Sequence, residues 1–199
     1  MKSISRKEAR ERVAQAKVDL LNPEERAQTL DEWWPLDFED EGWSELPDSL
    51  REELGTRDDA PSDATPSKYD PLLQVAAMRE THGVCNSWLQ RMLSKFFKAD
   101  GQVEIIGEPE EMLKCLCCGY LTIQQRGGYE ICPVCFWEDD GSQELDQTSG
   151  PNHMTLREAR ENFVRVGACS VDAVQHVEAE AREMYPRGTG RAGDMECAD

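Results

Sequence analysis

The 199-residue sequence is short of histidine, with three, and short of positive charge. Its 22 lysines and arginines stand against 40 aspartates and glutamates, a formal net charge of −18. His82, His153 and His176 have no partner at a spacing that suggests catalysis. Scarce cations argue against direct binding of nucleic acid through its phosphates. No apolar run reaches membrane-spanning length, so no membrane contact is expected. The N-terminal MKSISRKEARERVAQAK lacks the apolar core of a secretory signal, and a cytoplasmic location is the expectation. A phosphate-cradling glycine loop, a nucleophile elbow and a catalytic triad are all missing. These gaps point away from an enzyme. The acidic charge suits a basic protein partner drawn in by long-range electrostatics, and it equally suits plain solubility.

What the chain does have is cysteine. Eight are present, concentrated in KCLCCGYLTIQQRGGYEICPVCFWEDD at 114–140. Two C-x-x-C pairs stand out, Cys115/Cys118 and Cys132/Cys135. Each pair can turn both sulfurs toward one ion, and two such turns close the tetrahedron that structural Zn²⁺ prefers. Between them, 120–130 reads as a hairpin with its turn at Gly127-Gly128. The expected unit is a four-thiolate zinc ribbon. Four thiolates leave no open coordination position, so the zinc would hold shape and would not activate water.

Other readings of the cysteines stay open. Iron also suits four thiolates. An empty site with inert thiols is possible, and a disulfide framework suits an oxidising compartment. Thioredoxin-like redox chemistry uses the same spacing, though two facing pairs favour metal. Zinc deaminases need H-x-E followed by P-C-x-x-C. Here His176 and Glu178 lie downstream of the cysteines, and neither pair has a preceding proline. Cys117 reads as a spare thiol that packs or tunes the site. Cys85, Cys169 and Cys197 read as isolated buried or tail thiols. Glu138, Asp139 and Asp140 read as polar contacts or loop caps.

Along the chain, Ser5 and Glu8 form a capping-box pattern ahead of a helix over 4–21. Pro23 starts a second helix over 23–34, and 47–54 forms a short third one ending at Gly55. Helices follow from Asp70 and over 86–97, then a strand over 102–107. Thr155 and Glu158 make another capping box, with Gly167 closing that helix. A last helix is expected over 171–184. RDDAPSDATPS at 57–67 has the composition of a linker.

Trp33, Trp34, Asp37, Glu39, Asp40, Glu41 and Trp43 mix aromatic rings with carboxylates. One reading packs the rings into a small helical core and leaves the acids in water. The other makes these residues an acidic contact surface with aromatic anchors.

The text C-L-C-C-G-Y-L-T at 115–122, Y-E-I-C-P-V-C-F-W-E-D-D-G at 129–141 and G-P-N-H-M-T-L-R-E-A-R-E-N-F at 150–163 resembles the bacterial cysteine-rich CPCC family. Leu116 stands where the family name implies proline, which loosens the first turn but leaves the ligands intact. The resemblance implies a small zinc-ribbon-like module. It also implies a genetic setting similar to the immunity genes of bacterial toxin systems. The expected fold class is α+β: a four-cysteine zinc ribbon with β-hairpins, flanked by helices, plus an acidic helical N-terminal region. The expected organisation is 1–56 acidic helical region, 57–67 linker, 68–186 cysteine-rich domain and 187–199 disordered tail. The expected function is a non-enzymatic immunity protein that occludes a basic toxin domain. The alternative is a zinc-ribbon adaptor in a housekeeping complex.

Overall fold

Side-chain caps set the N-terminal helices. In the computed structural model, which describes residues 3–40, 42–97, 103–188 and 195–196, Ser5 accepts the Glu8 N–H at 3.1 Å and opens α1 (Arg6–Leu20). Asn22 accepts from Glu24 and Glu25, and the Glu25 carboxylate accepts the Asn22 N–H. This complete capping box, with Pro23 in the first turn, starts α2 (Pro23–Trp33). Ahead of α1, β1 (Ser3–Ser5) pairs in parallel with β2 (Glu104–Ile106), with Ile4 opposite Ile105.

The chain falls into two compact units, described separately. The first comprises Met1–His82 and Leu89–Gly107; the second comprises Gly83–Trp88 and Glu108–Asp199. In the first, α3 (Asp48–Thr56) and α4 (Asp70–Glu80) join α1 and α2. Val18, Leu30, Trp34, Leu50, Leu72 and Leu73 are core residues. The boundary expected at 57–67 is therefore corrected. Helix α4 packs against α1 and α2 and belongs with the N-terminal helices. The supposed linker is also part of the packing: Ala64 is buried, and its carbonyl accepts from Arg26 at 3.1 Å. The dividing line runs through α5 (Asn86–Phe97), whose first turn belongs to the second unit.

Gly42 closes the loop between α2 and α3 with φ +97°, and a Cβ there would lie 2.6 Å from Val75 Cγ1. Gly42→Ala meets both a left-handed backbone and a collision. A loss of about 2 kcal/mol is expected, measured as a lower urea midpoint by tryptophan fluorescence.

In the second unit, β3 (Leu113–Lys114) pairs antiparallel with β4 (Leu121–Ile123), and Ile131 bridges Glu138. The pairing expected within 120–130 thus lies elsewhere, across each cysteine pair. Residues between the pairs form a connecting turn, where the Glu130 carboxylate accepts the Gln124 and Gln125 N–H groups, both at 2.8 Å. Helix α6 (Leu156–Val166) has the full Thr155/Glu158 capping box and ends at Gly167, φ 83°. Buried Ile123, Val134, Trp137, Leu156 and Ala159 belong to this unit.

The helix expected over 171–184 is broken. A 3-10 turn (Asp172–His176) and a short α7 (Ala181–Met184) replace it, because the Glu178 N–H bonds to the Pro133 carbonyl at 3.3 Å. In the supposed tail, β5 (Arg187–Gly188) pairs with β6 (Met195–Glu196). Glu41, Lys98, Gly101, Gln102 and Cys197 lie outside the described residues. Among the described residues, no helix is long and apolar enough to cross a membrane. The fold class is α+β, with helices flanking the cysteine region.

Candidate metal centre

Each C-x-x-C pair is built as the same loop. In the first, Cys115 N–H donates to Tyr120 at 2.8 Å and Gly119 N–H donates back to Cys115 at 3.0 Å. In the second, Cys132 N–H donates to Trp137 at 2.9 Å and Phe136 N–H donates to Cys132 at 2.8 Å. The loop needs a left-handed residue just after the second cysteine. Gly119 supplies it at φ 80°, and Phe136 adopts it at φ 65° although it is not glycine. A side chain there costs about 1 kcal/mol.

The two loops bring together Cys115, Cys118, Cys132 and Cys135, all buried, with every sulfur within 4.8 Å of the others. Cys115 Sγ lies 3.6 Å from Cys135 Sγ, and Cys118 Sγ lies 3.6 Å from Cys132 Sγ. A tetrahedron with metal–sulfur bonds of about 2.3 Å has edges of roughly 3.8 Å. The thiol quartet therefore fits a metal ion. Among the described residues, no other group of histidine, cysteine or carboxylate gathers this way.

Without a cation the four groups compete for charge. Burial pushes the Cys132 thiol up, but hydrogen bonds from Cys115, Cys118, Cys135 and Thr122 outweigh it and hold this thiol well below its ordinary range. Cys118 is pushed up, first by its hydrogen bond with Cys115. Cys135 is also pushed up, by Cys115 and then by Cys117. Charge is favoured on Cys132 and disfavoured on Cys118 and Cys135, and a cation would relieve that conflict.

The surroundings brace this arrangement. Thr122 Oγ1 donates to Cys132 Sγ at 3.1 Å, a contact that nothing in the sequence pattern signals. Cys117 is buried and free. Cys169 is also free; its thiol donates to the Phe136 carbonyl at 3.3 Å and is pushed up to about 11, first by burial. Cys85, expected as an isolated thiol, is disulfide-bonded instead. Asp139 is fully buried, pairs with Arg126 and accepts the Gly141 N–H at 2.9 Å. Phe136 escaped the sequence reading. Aligning the two loops would have exposed it, since it stands where the first has Gly119.

The acidic aromatic residues divide. Trp34 is 3 % exposed; its ring meets Tyr69 edge-on at 6.0 Å, and its Nε1 donates to the Arg57 carbonyl. It belongs to the core and is withdrawn from any contact surface. Trp33 and Trp43 are half-buried against the same core. Asp37, Glu39 and Asp40 are exposed. Asp37 also accepts the Glu39 N–H, and Asp40 accepts the Asp37 N–H, both at 2.8 Å, so two of the acids shape their own loop.

No curated protein and no solved structure matches the chain. Residues 113–183, which hold all four clustered cysteines, α6 and the 3-10 turn after it, match the family model described as cysteine-rich CPCC, and over that stretch the chain is similar to this family.

Proposed function

We propose that the chain is a non-enzymatic immunity protein that binds a basic cognate toxin domain and blocks its active site, with a structural Zn²⁺ in the four-cysteine centre. The observation that carries this reading is the loop between α2 and α3. There Phe38 is 76 % exposed and contributes little to any core, while Asp37, Glu39 and Asp40 surround it in sequence. It borders a groove of about 380 Å³ lined also by Leu36, Trp43 and Leu54. An aromatic anchor beside an apolar groove supplies affinity at an interface. The carboxylates supply steering toward a basic cleft and discrimination against acidic partners. The similarity to the cysteine-rich CPCC family adds the toxin-immunity setting that this resemblance implies. Bound zinc supplies a cross-link that holds the two cysteine loops together.

The test is co-expression with toxin genes flanking the chain's own, with complex formation and cell survival as readouts. Phe38→Ala and Glu39→Lys are expected to weaken the complex by about tenfold or more each and to leave metal content unchanged. Absence of both complex and protection sinks the toxin reading. Retrieval of a housekeeping assembly instead supports the adaptor.

A further inference from the structure

Beside the second cysteine loop lies a cavity of about 280 Å³. Two rings line it face to face: Phe136 and His176 stack with centroids 4.9 Å apart and planes at 25°. Phe136 is the residue held at φ 65°, where the first loop uses glycine. A strained backbone kept at one position is a pointer to use of that side chain. Here the ring builds a wall of the cavity.

Glu138 and Asp172 also line the cavity, and among the described residues no lysine or arginine does. Among the described residues, neither carboxylate has a hydrogen bond or an ion pair. The backbone of Glu138 is nonetheless fixed. Its N–H donates to Asn152 Oδ1 at 3.0 Å, and its carbonyl accepts from Asn152 Nδ2 at 2.8 Å. Ile131, 49 % exposed, adds apolar surface.

We propose that this cavity takes the guanidinium of an arginine presented by a protein partner. A planar cation can stack on an aromatic face and donate to carboxylates in the same plane, which a lysine ammonium cannot do as well. Two carboxylates with no partner among the described residues favour a cation over an anion here. The assignment goes beyond the toxin reading, because it requires an arginine-bearing chain and no particular toxin.

The experiment titrates the full-length, metal-replete, ¹⁵N-labelled chain with the peptide acetyl-Gly-Arg-Gly-amide. Its citrulline and lysine counterparts are run alongside. Amide shifts are expected at Ile131, Phe136, Glu138 and the segment from Cys169 to His176, saturating at roughly millimolar peptide. Citrulline, which keeps the shape and lacks the charge, is expected to bind about tenfold more weakly. Lysine is expected to fall between. The Glu138→Gln/Asp172→Asn double variant is expected to lose about tenfold in affinity. Phe136→Gly suits the left-handed backbone, so it keeps the loop while deleting the stacking wall, and it is expected to weaken binding severalfold. Shifts confined to other surfaces, no shifts, or binding unchanged by both variants overturns the proposal. Equal binding of citrulline overturns the charge requirement, and equal binding of lysine overturns the stacked guanidinium.

Discussion

Cys132→Ser is expected to unfold the cysteine-rich unit at neutral pH and to abolish stoichiometric metal binding. The size of the effect follows from the energetics. A structural zinc contributes apparent binding energy of about 10–16 kcal/mol, while a whole domain is stable by about 5–15 kcal/mol. Cys132 is fully buried and takes the Thr122 hydroxyl at 3.1 Å. A serine there breaks the closed thiolate set and leaves a polar group buried among sulfurs. The expected signature is loss of near-ultraviolet dichroism from buried Trp137 and loss of amide protection over 113–183. The helices around Leu30 and Leu72 have a core of their own, so much of the helical signal is expected to persist. Removing the metal by chelation should reproduce the variant. Because thiolates must shed protons to bind it, the metal-dependent stability should fall as pH falls. Unchanged protection without metal would show that the cysteine loops hold themselves together by packing alone.

What the sequence made legible is local. Ser5 and Thr155 mark helix starts because each cap closes a hydrogen bond within three residues, and Pro23 marks another because its fixed backbone suits the first turn. The four cysteines were identifiable because C-x-x-C spacing itself turns the chain. The misses come from distant contacts. Ala64 sits in a stretch with the composition of a linker, yet it is buried and its carbonyl holds Arg26. Val171, Val174 and Val177 have helical spacing, but the Glu178 N–H is drawn to Pro133 and the helix stops. The strand pairing also moved, since each cysteine loop closes its own antiparallel pair and leaves 124–128 as a connector. Trp34 and Phe38 share one acidic segment, and only packing separates the buried ring from the exposed one.

Asp139→Ala is expected to cost about 3–5 kcal/mol, the usual penalty for breaking a buried charge pair. Asp139 pairs with Arg126 and accepts the Gly127 N–H at 3.4 Å and the Gly141 N–H at 2.9 Å. Arg126 also donates to the Lys114 carbonyl at 2.6 Å, next to the first cysteine of the cluster. One carboxylate therefore joins the segment after the second cysteine pair to the turn between the pairs, and through Arg126 to β3. Alanine leaves the Arg126 charge half-buried without its partner and strips acceptors from backbone donors. Its neighbour is the control. Among the described residues, Asp140 accepts only the Ser142 N–H, at 3.0 Å, within its own loop, and Asp140→Ala should cost about 1 kcal/mol or less. Denaturation of the metal-replete chain measures both. A cycle with Arg126→Ala separates the pair from the backbone contacts. If the pair dominates, the double variant should be little worse than Asp139→Ala alone. If the backbone contacts dominate, the two losses should add, and the carboxylate would then act chiefly as a loop cap.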